Sequence, residues 1–158
     1  SLKQKKYNVT NTEDMRTTDL SHYNSSADKA QLELIKLALH SPKLAKDMPI
    51  GLFSNTLLQN VLQVLIDNSD KDYNPGQILD LIGGSPEQRN LIASLAIEVP
   101  DKSYESTILS DCIATLEREP VKKDIALIRD KIRKLEEQDQ SPDQELLNQL
   151  SILQKKLQ

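Results

Sequence analysis

The sequence is poor in aromatic, sulfur and imidazole side chains. It has no Trp, one Phe, four Tyr, one Cys and two His among 158 residues. The single Cys112 excludes an intrachain disulfide and a cysteine-built zinc site. His22 and His40 stand apart from each other and from Cys112, so neither a histidine metal site nor a Cys/His nucleophile pair is indicated. His40 reads as a helix-end cation or polar cap, and Cys112, set in an apolar stripe, reads as core. Few aromatics means few platforms for stacking bases. The apolar runs, such as Leu37-Ala38-Leu39, fall far short of the ~20 residues that span a bilayer. No charged-then-apolar N-terminal segment reads as a secretion signal, so the expectation is a soluble intracellular protein with no membrane partner. A chain that begins at Ser1 without Met reads as a fragment of something longer.

The net charge is -4, unevenly spread. Residues 1–26 carry four basic and three acidic side chains, residues 27–118 eight and thirteen, and residues 119–158 eight of each. A nucleic-acid-binding domain presents a basic face that displaces phosphate counterions. The acidic centre argues against that class and predicts little direct binding of nucleic acid.

Residues 1–25 are polar and lack an apolar period, so they read as a flexible linker or tail. Order is expected to begin at Ser25-Ser26, either of which can cap a helix, with Asp28 in the first turn. Leu32, Ile35 and Leu39, widened by Leu34, Leu37 and Ala38, make a buried helix ending near His40. Ser41-Pro42 starts a short helix, which Pro49 and Gly51 break. From Ser54 or Asn55, Leu57, Leu58, Val61, Leu62, Val64, Leu65 and Ile66 make a helix apolar over most of its circumference, expected at the centre of the core. Asn74-Pro75 opens a further helix, closed by Gly83-Gly84 in the left-handed manner. Ser85-Pro86 opens another, with Leu91, Ile92, Leu95 and Ala96 as its stripe. A helix from Ser103 or Tyr104 carries Ile108, Leu109, Cys112, Ile113 and Leu116 on one face. Gly83-Gly84-Ser85 lacks the Lys-Ser/Thr of a phosphate-binding loop, and Asp67, Asp70 and Asp72 lack the spacing of a calcium loop, so both read as turns.

The pattern changes at Pro120. Apolar residues recur at Val121, Ile125, Ile128, Ile132 and Leu135, the 4,3 spacing of a seam between helices. Ser141-Pro142-Asp143 reads as a third cap-then-Pro start, and Leu146, Leu150, Leu153 and Leu157 follow at the same spacing. Two seams of matching length joined by a short polar link make an antiparallel helical hairpin. Pro120 either ends the preceding helix or kinks one long helix running from Tyr104 to Gln138; both readings make it a hinge. The fold class is therefore all-α: a bundle of about six helices over residues 26–118, then a hairpin over residues 119–158. A single seam returns less than it costs to order roughly forty residues, so the hairpin should be mobile when free. Leu127, Leu147 and Ile152 lie outside the seam, and spare apolar groups on such an element mark a protein interface.

This order of features resembles the C-terminal, helicase-binding domain of bacterial DnaG-type primases, over roughly residues 27–158. Leu32-Glu-Leu-Ile-Lys-Leu-Ala-Leu-His-Ser-Pro-Lys-Leu-Ala45 is similar to the family's opening helix and the turn that ends it. Pro75-Gly-Gln-Ile-Leu-Asp-Leu-Ile-Gly-Gly-Ser85 looks like its leucine-rich helix followed by Gly-Ser/Thr, and the terminal hairpin completes the pattern. The resemblance implies a non-catalytic domain that docks a primase on the hexameric DnaB-type replicative helicase at the replication fork, in the bacterial cytoplasm. It also implies that zinc and magnesium belong to primase domains absent here, so that this fragment needs no cofactor and makes no primers. The family's contact region maps onto the last helix, here Gln154, Lys155 and Leu157 with Leu150 and Leu153 behind them. Some members bind the acidic tail of single-stranded-DNA-binding protein on their first helix; the corresponding cations here are Lys29, Lys36 and Lys43. Ala30-Gln31-Leu32 stands where those members have a Thr-Met-Arg-like run. The alternative is the N-terminal collar domain of the helicase itself, a related fold that would self-associate around a ring.

Overall fold

The computed structural model describes residues 23–158, and among these the chain is helical with no strand. The linker assigned to residues 1–25, and His22 with it, lie outside the described residues as far as residue 22. The helices are α1 (Ser26–His40), α2 (Thr56–Asp67), α3 (Pro75–Ile82), α4 (Pro86–Ile97), α5 (Glu105–Glu137) and α6 (Gln144–Lys156), with 3-10 turns at Pro42–Asp47, Ile50–Leu52 and Lys102–Tyr104. The chain forms two compact units, one reaching to Ile113 and the other running from Ala114 to Gln158. Among the described residues no helix is long and apolar enough to cross a membrane.

The first unit is the bundle. Ser25 caps α1, its Oγ accepting from the Asp28 N–H at 3.0 Å. A cap of this kind is worth ~1 kcal/mol because it pairs a donor that the first turn leaves open. Asn55 caps α2 in the same way through the Leu58 N–H at 3.0 Å. At α3 and α4 the caps are reciprocal: Asn74 with Gln77, and Ser85 with Gln88, each exchange side-chain and backbone bonds, with Pro75 and Pro86 in the first turn. Between α3 and α4 the chain turns at Gly83 and Gly84, whose φ of 65° and 90° other residues adopt only under strain. A Cβ at Gly84 would also meet Gln88 Oε1, a member of the α4 capping box, at 2.5 Å.

The most enclosed helix is α1, not α2 as the apolar count implied. Ala27, Ala30, Gln31, Leu32, Leu34, Ile35, Leu37, Ala38 and Leu39 are all buried. On α2 only Leu58, Val61, Leu62 and Leu65 are, while Leu57, Val64 and Ile66 stay half-buried. α2, α3 and α4 all pack against α1 together with the 3-10 turn at Pro42–Asp47, while α2 packs against α1, α3 and the turns at Pro42–Asp47 and Ile50–Leu52. Phe53, Met48 and Ala45 add to this core. Each such side chain contributes ~1.5–3 kcal/mol by leaving water.

One polar residue is fully enclosed in that core. Gln31 donates from Nε2 to the Ala27 carbonyl at 3.2 Å and to Ser54 Oγ at 3.0 Å, and its Oε1 accepts from the Asn55 N–H at 3.1 Å. It thereby ties the middle of α1 to the start of α2. His40 ends α1 with its Nε2 buried and without a hydrogen-bond partner.

The second unit is the hairpin. Pro120 lies inside α5, which runs on to Glu137, so the long-helix reading of this region holds. The helix ends with Asp139 at φ 57°, where the Gln140 and Asp139 N–H groups bond to the Leu135 and Glu136 carbonyls at 2.8 and 3.0 Å. This is a Schellman ending in which Asp stands where Gly is usual. The start of α6 differs from the expected one: Asp143, not Ser141, is the N-cap, it makes no side-chain cap bond, and Pro142 precedes the helix. Ile125 and Ile128 are buried along the α5 seam, with Val121, Ile132 and Leu135 half-buried. Opposite them Leu146, Leu150, Leu153 and Leu157 are half-buried.

Candidate docking site

The hairpin exposes apolar side chains beside its seam. Leu127 is 62% exposed, Ile152 58% and Leu147 39%. Leu127 and Ile152 come together with Leu153 and Ile128 around a groove of about 380 Å³, whose remaining wall is Asp124, Lys131 and Gln149. Residues 124, 127, 128 and 131 form one helical face, as do 149, 152 and 153, so the groove lies between one stripe of α5 and one of α6. Leu147 is not part of it. Leu150 and Leu157 belong to the seam, and Gln154 and Lys155 are exposed on α6. Among the described residues Asp124 and Lys131 form no ion pair; further along α5 Arg133 bridges Asp130 and Glu137 at 2.6 and 3.1 Å, and Lys134 reaches Asp130 at 3.1 Å. Hydrogen bonds from Arg133 and then Lys134 hold the Asp130 carboxyl below the usual aspartate range.

The bundle has a second groove, of about 370 Å³, in which Lys29 and Lys36 lie beside Tyr23, Leu32, Leu95, Glu33 and Glu98. Lys36 donates to Glu98 at 2.8 Å and to Glu33 at 3.0 Å. Burial opposes its charge, but these two bonds and the two negative charges outweigh burial and raise its pKa above the ordinary lysine value. Lys43 is exposed on the turn after α1 and takes no part in this groove. Ala30, Gln31 and Leu32 are all buried, and of that run only Leu32 reaches the groove wall.

Residues 31–150 match the family described as DNA primase DnaG DnaB-binding. The chain belongs to this family. Neither a curated protein nor a solved structure matches it. A DnaB-binding domain of DnaG primase docks the primase on its helicase, and the helicase's own collar is not the favoured identity. The match takes in the bundle from Gln31 and the hairpin as far as Leu150.

For this DnaG domain, periodicity separated seam residues from spare ones: Leu127, Leu147 and Ile152 are all exposed. The sequence reading missed Asp124, Lys131 and Gln149 in the groove wall. Their signal was present as i, i+3, i+4, i+7 spacing around Leu127, but a charge on a helix face ordinarily reads as solvated surface. Among the described residues no group of His, Cys, Asp or Glu is disposed to hold a metal ion.

Proposed function

We propose that the hairpin is the element with which this DnaG domain grips the hexameric DnaB-type helicase, at the replication fork in the bacterial cytoplasm. The observation that carries this reading is the exposure of Leu127 and Ile152 across one groove of an element with a single buried seam. Water is released from that apolar surface only when a partner covers it. Leu127, Leu147 and Ile152 make the contact, Gln154 and Lys155 extend it along α6, and Leu150, Leu153 and Leu157 support it from the seam. Docking needs no cofactor of this domain and little contact with nucleic acid, and primer synthesis belongs to other parts of the primase. Pro120 lets α5 bend, since it supplies no N–H to the Leu116 carbonyl one turn earlier.

Binding of the helicase by the chain, compared with a form lacking residues 142–158, tests the site. Loss of the complex supports it. Undiminished binding by the shortened form rejects the hairpin as the anchor.

An acidic tail such as that of single-stranded-DNA-binding protein finds a weaker site. Lys29 is exposed, but Lys36 already holds two carboxylates, which a tail would have to displace. A Lys29→Glu variant that lost binding of such a tail would establish the site; a tail that fails to bind the unaltered chain would dismiss it.

A further inference from the structure

The hairpin groove has a polarity that its apolar walls do not require. Asp124 stands at one end of its α5 stripe and Lys131 at the other, seven residues on. At 1.5 Å per residue the two Cα atoms are about 10.5 Å apart along the helix. Between them lie Leu127 and Ile128, faced by Ile152 and Leu153 of α6. Both charged residues are exposed, and neither forms an ion pair among the described residues.

A groove between two helices can be filled by an extended segment or by a third helix. The backbone amides of its walls are committed to their own helices, so an extended segment would find no main-chain partners there. A helix satisfies its own backbone and needs only an apolar ridge to lay between Leu127 and Ile152. Its flanking charges must then oppose those of the groove, because a like charge held over Asp124 or Lys131 costs affinity.

We propose that the groove receives an amphipathic helix of the helicase in a fixed register. A basic side chain of that helix sits against Asp124 and an acidic one against Lys131, with apolar residues between. The pair determines which way and how far along the hairpin the helix lies, while Leu127 and Ile152 supply most of the affinity. This rests on the hairpin being the docking element.

The test uses the full chain and the intact helicase, with affinity measured at low and high salt for Asp124→Lys, Lys131→Glu and the exchange of both, alongside Leu127→Glu/Ile152→Glu. Both charged positions are exposed, and circular dichroism checks that each variant is folded. Each single reversal should weaken binding roughly 3–10-fold at low salt and less at high salt. The double exchange should bind no better than either single variant, because it reverses the order of charges. Loss of binding in the Leu127/Ile152 variant with none in the reversals overturns the register but leaves the docking element standing. Undiminished binding in every variant overturns both. A second copy of the chain is the rival occupant, because about a two-fold axis between residues 127 and 128 Asp124 of each copy meets Lys131 of the other. For that occupant the single reversals would abolish self-association in sedimentation, the double exchange would restore it, and helicase binding would stay unaffected, which also overturns the proposal.

Discussion

Gln31 shows how one residue joins two elements. It is fully buried, and each of its three hydrogen bonds reaches a group in α1 or at the start of α2. Removing it leaves the Asn55 N–H without its acceptor and opens a cavity beside α1. Gln31→Ala should therefore cost roughly 2–3 kcal/mol, measured by urea unfolding; a loss under about 0.5 kcal/mol would show that water replaces the amide without penalty. Two other groups set the response to alkali. Burial, with the charges of Glu33 and Asp111, pushes the Cys112 thiol up to about 11 from its ordinary 9.0. The unfolded chain releases that proton first, so the contribution is complete below about pH 9 and is lost as the pH rises towards 11. Lys36 is also raised, burial being outweighed by Glu98 and Glu33, so its contribution is complete below 10.5 and is lost through its raised pKa. Both effects weaken the bundle in alkali. Stability should fall from about pH 9 upward, and Cys112→Ala should make the first part of the fall shallower. Identical pH profiles for the two proteins would remove the thiol from this account.

At the scale of elements, caps were legible and endings less so. Ser25, Asn55, Asn74 and Ser85 start helices because a side-chain oxygen within three residues meets an open N–H, which is local chemistry that sequence displays. Ser141-Pro142 has the same letters and starts nothing: Asp139 takes the left-handed ending of α5, and the next helix begins only at Gln144. Burial was also misread where it depended on neighbours. The apolar residues of α2 outnumber its buried ones, because circumference says what a helix could bury and packing decides what it does. Pro120 is the element-scale device. It sits within α5 without ending it, and a proline inside a helix costs ~3 kcal/mol relative to alanine. Pro120→Ala should restore the bond to the Leu116 carbonyl and slow amide exchange from about residue 116 to 124 by tenfold or more. Exchange unchanged at those amides would show that the helix does not open there.

The whole molecule consists of a packed bundle and a hairpin that leaves Leu127, Leu147 and Ile152 exposed, the surface proposed to meet the helicase. The apolar period changes after Pro120, whereas the compact units divide earlier, between Ile113 and Ala114; membership of the DnaB-binding family of DnaG primases gives the partner. The groove was not legible as a site, because it needs two helices side by side to bring Leu127 and Ile152 together. Interfaces of this kind draw most of their energy from a few central side chains. The direct measurement is the affinity of the chain for the intact helicase with both residues changed, Leu127→Glu and Ile152→Glu. Two such losses at ~2 kcal/mol each weaken binding by far more than a hundredfold with the fold intact, which is the expected result. An affinity equal to that of the unaltered chain would contradict the hairpin as the docking element.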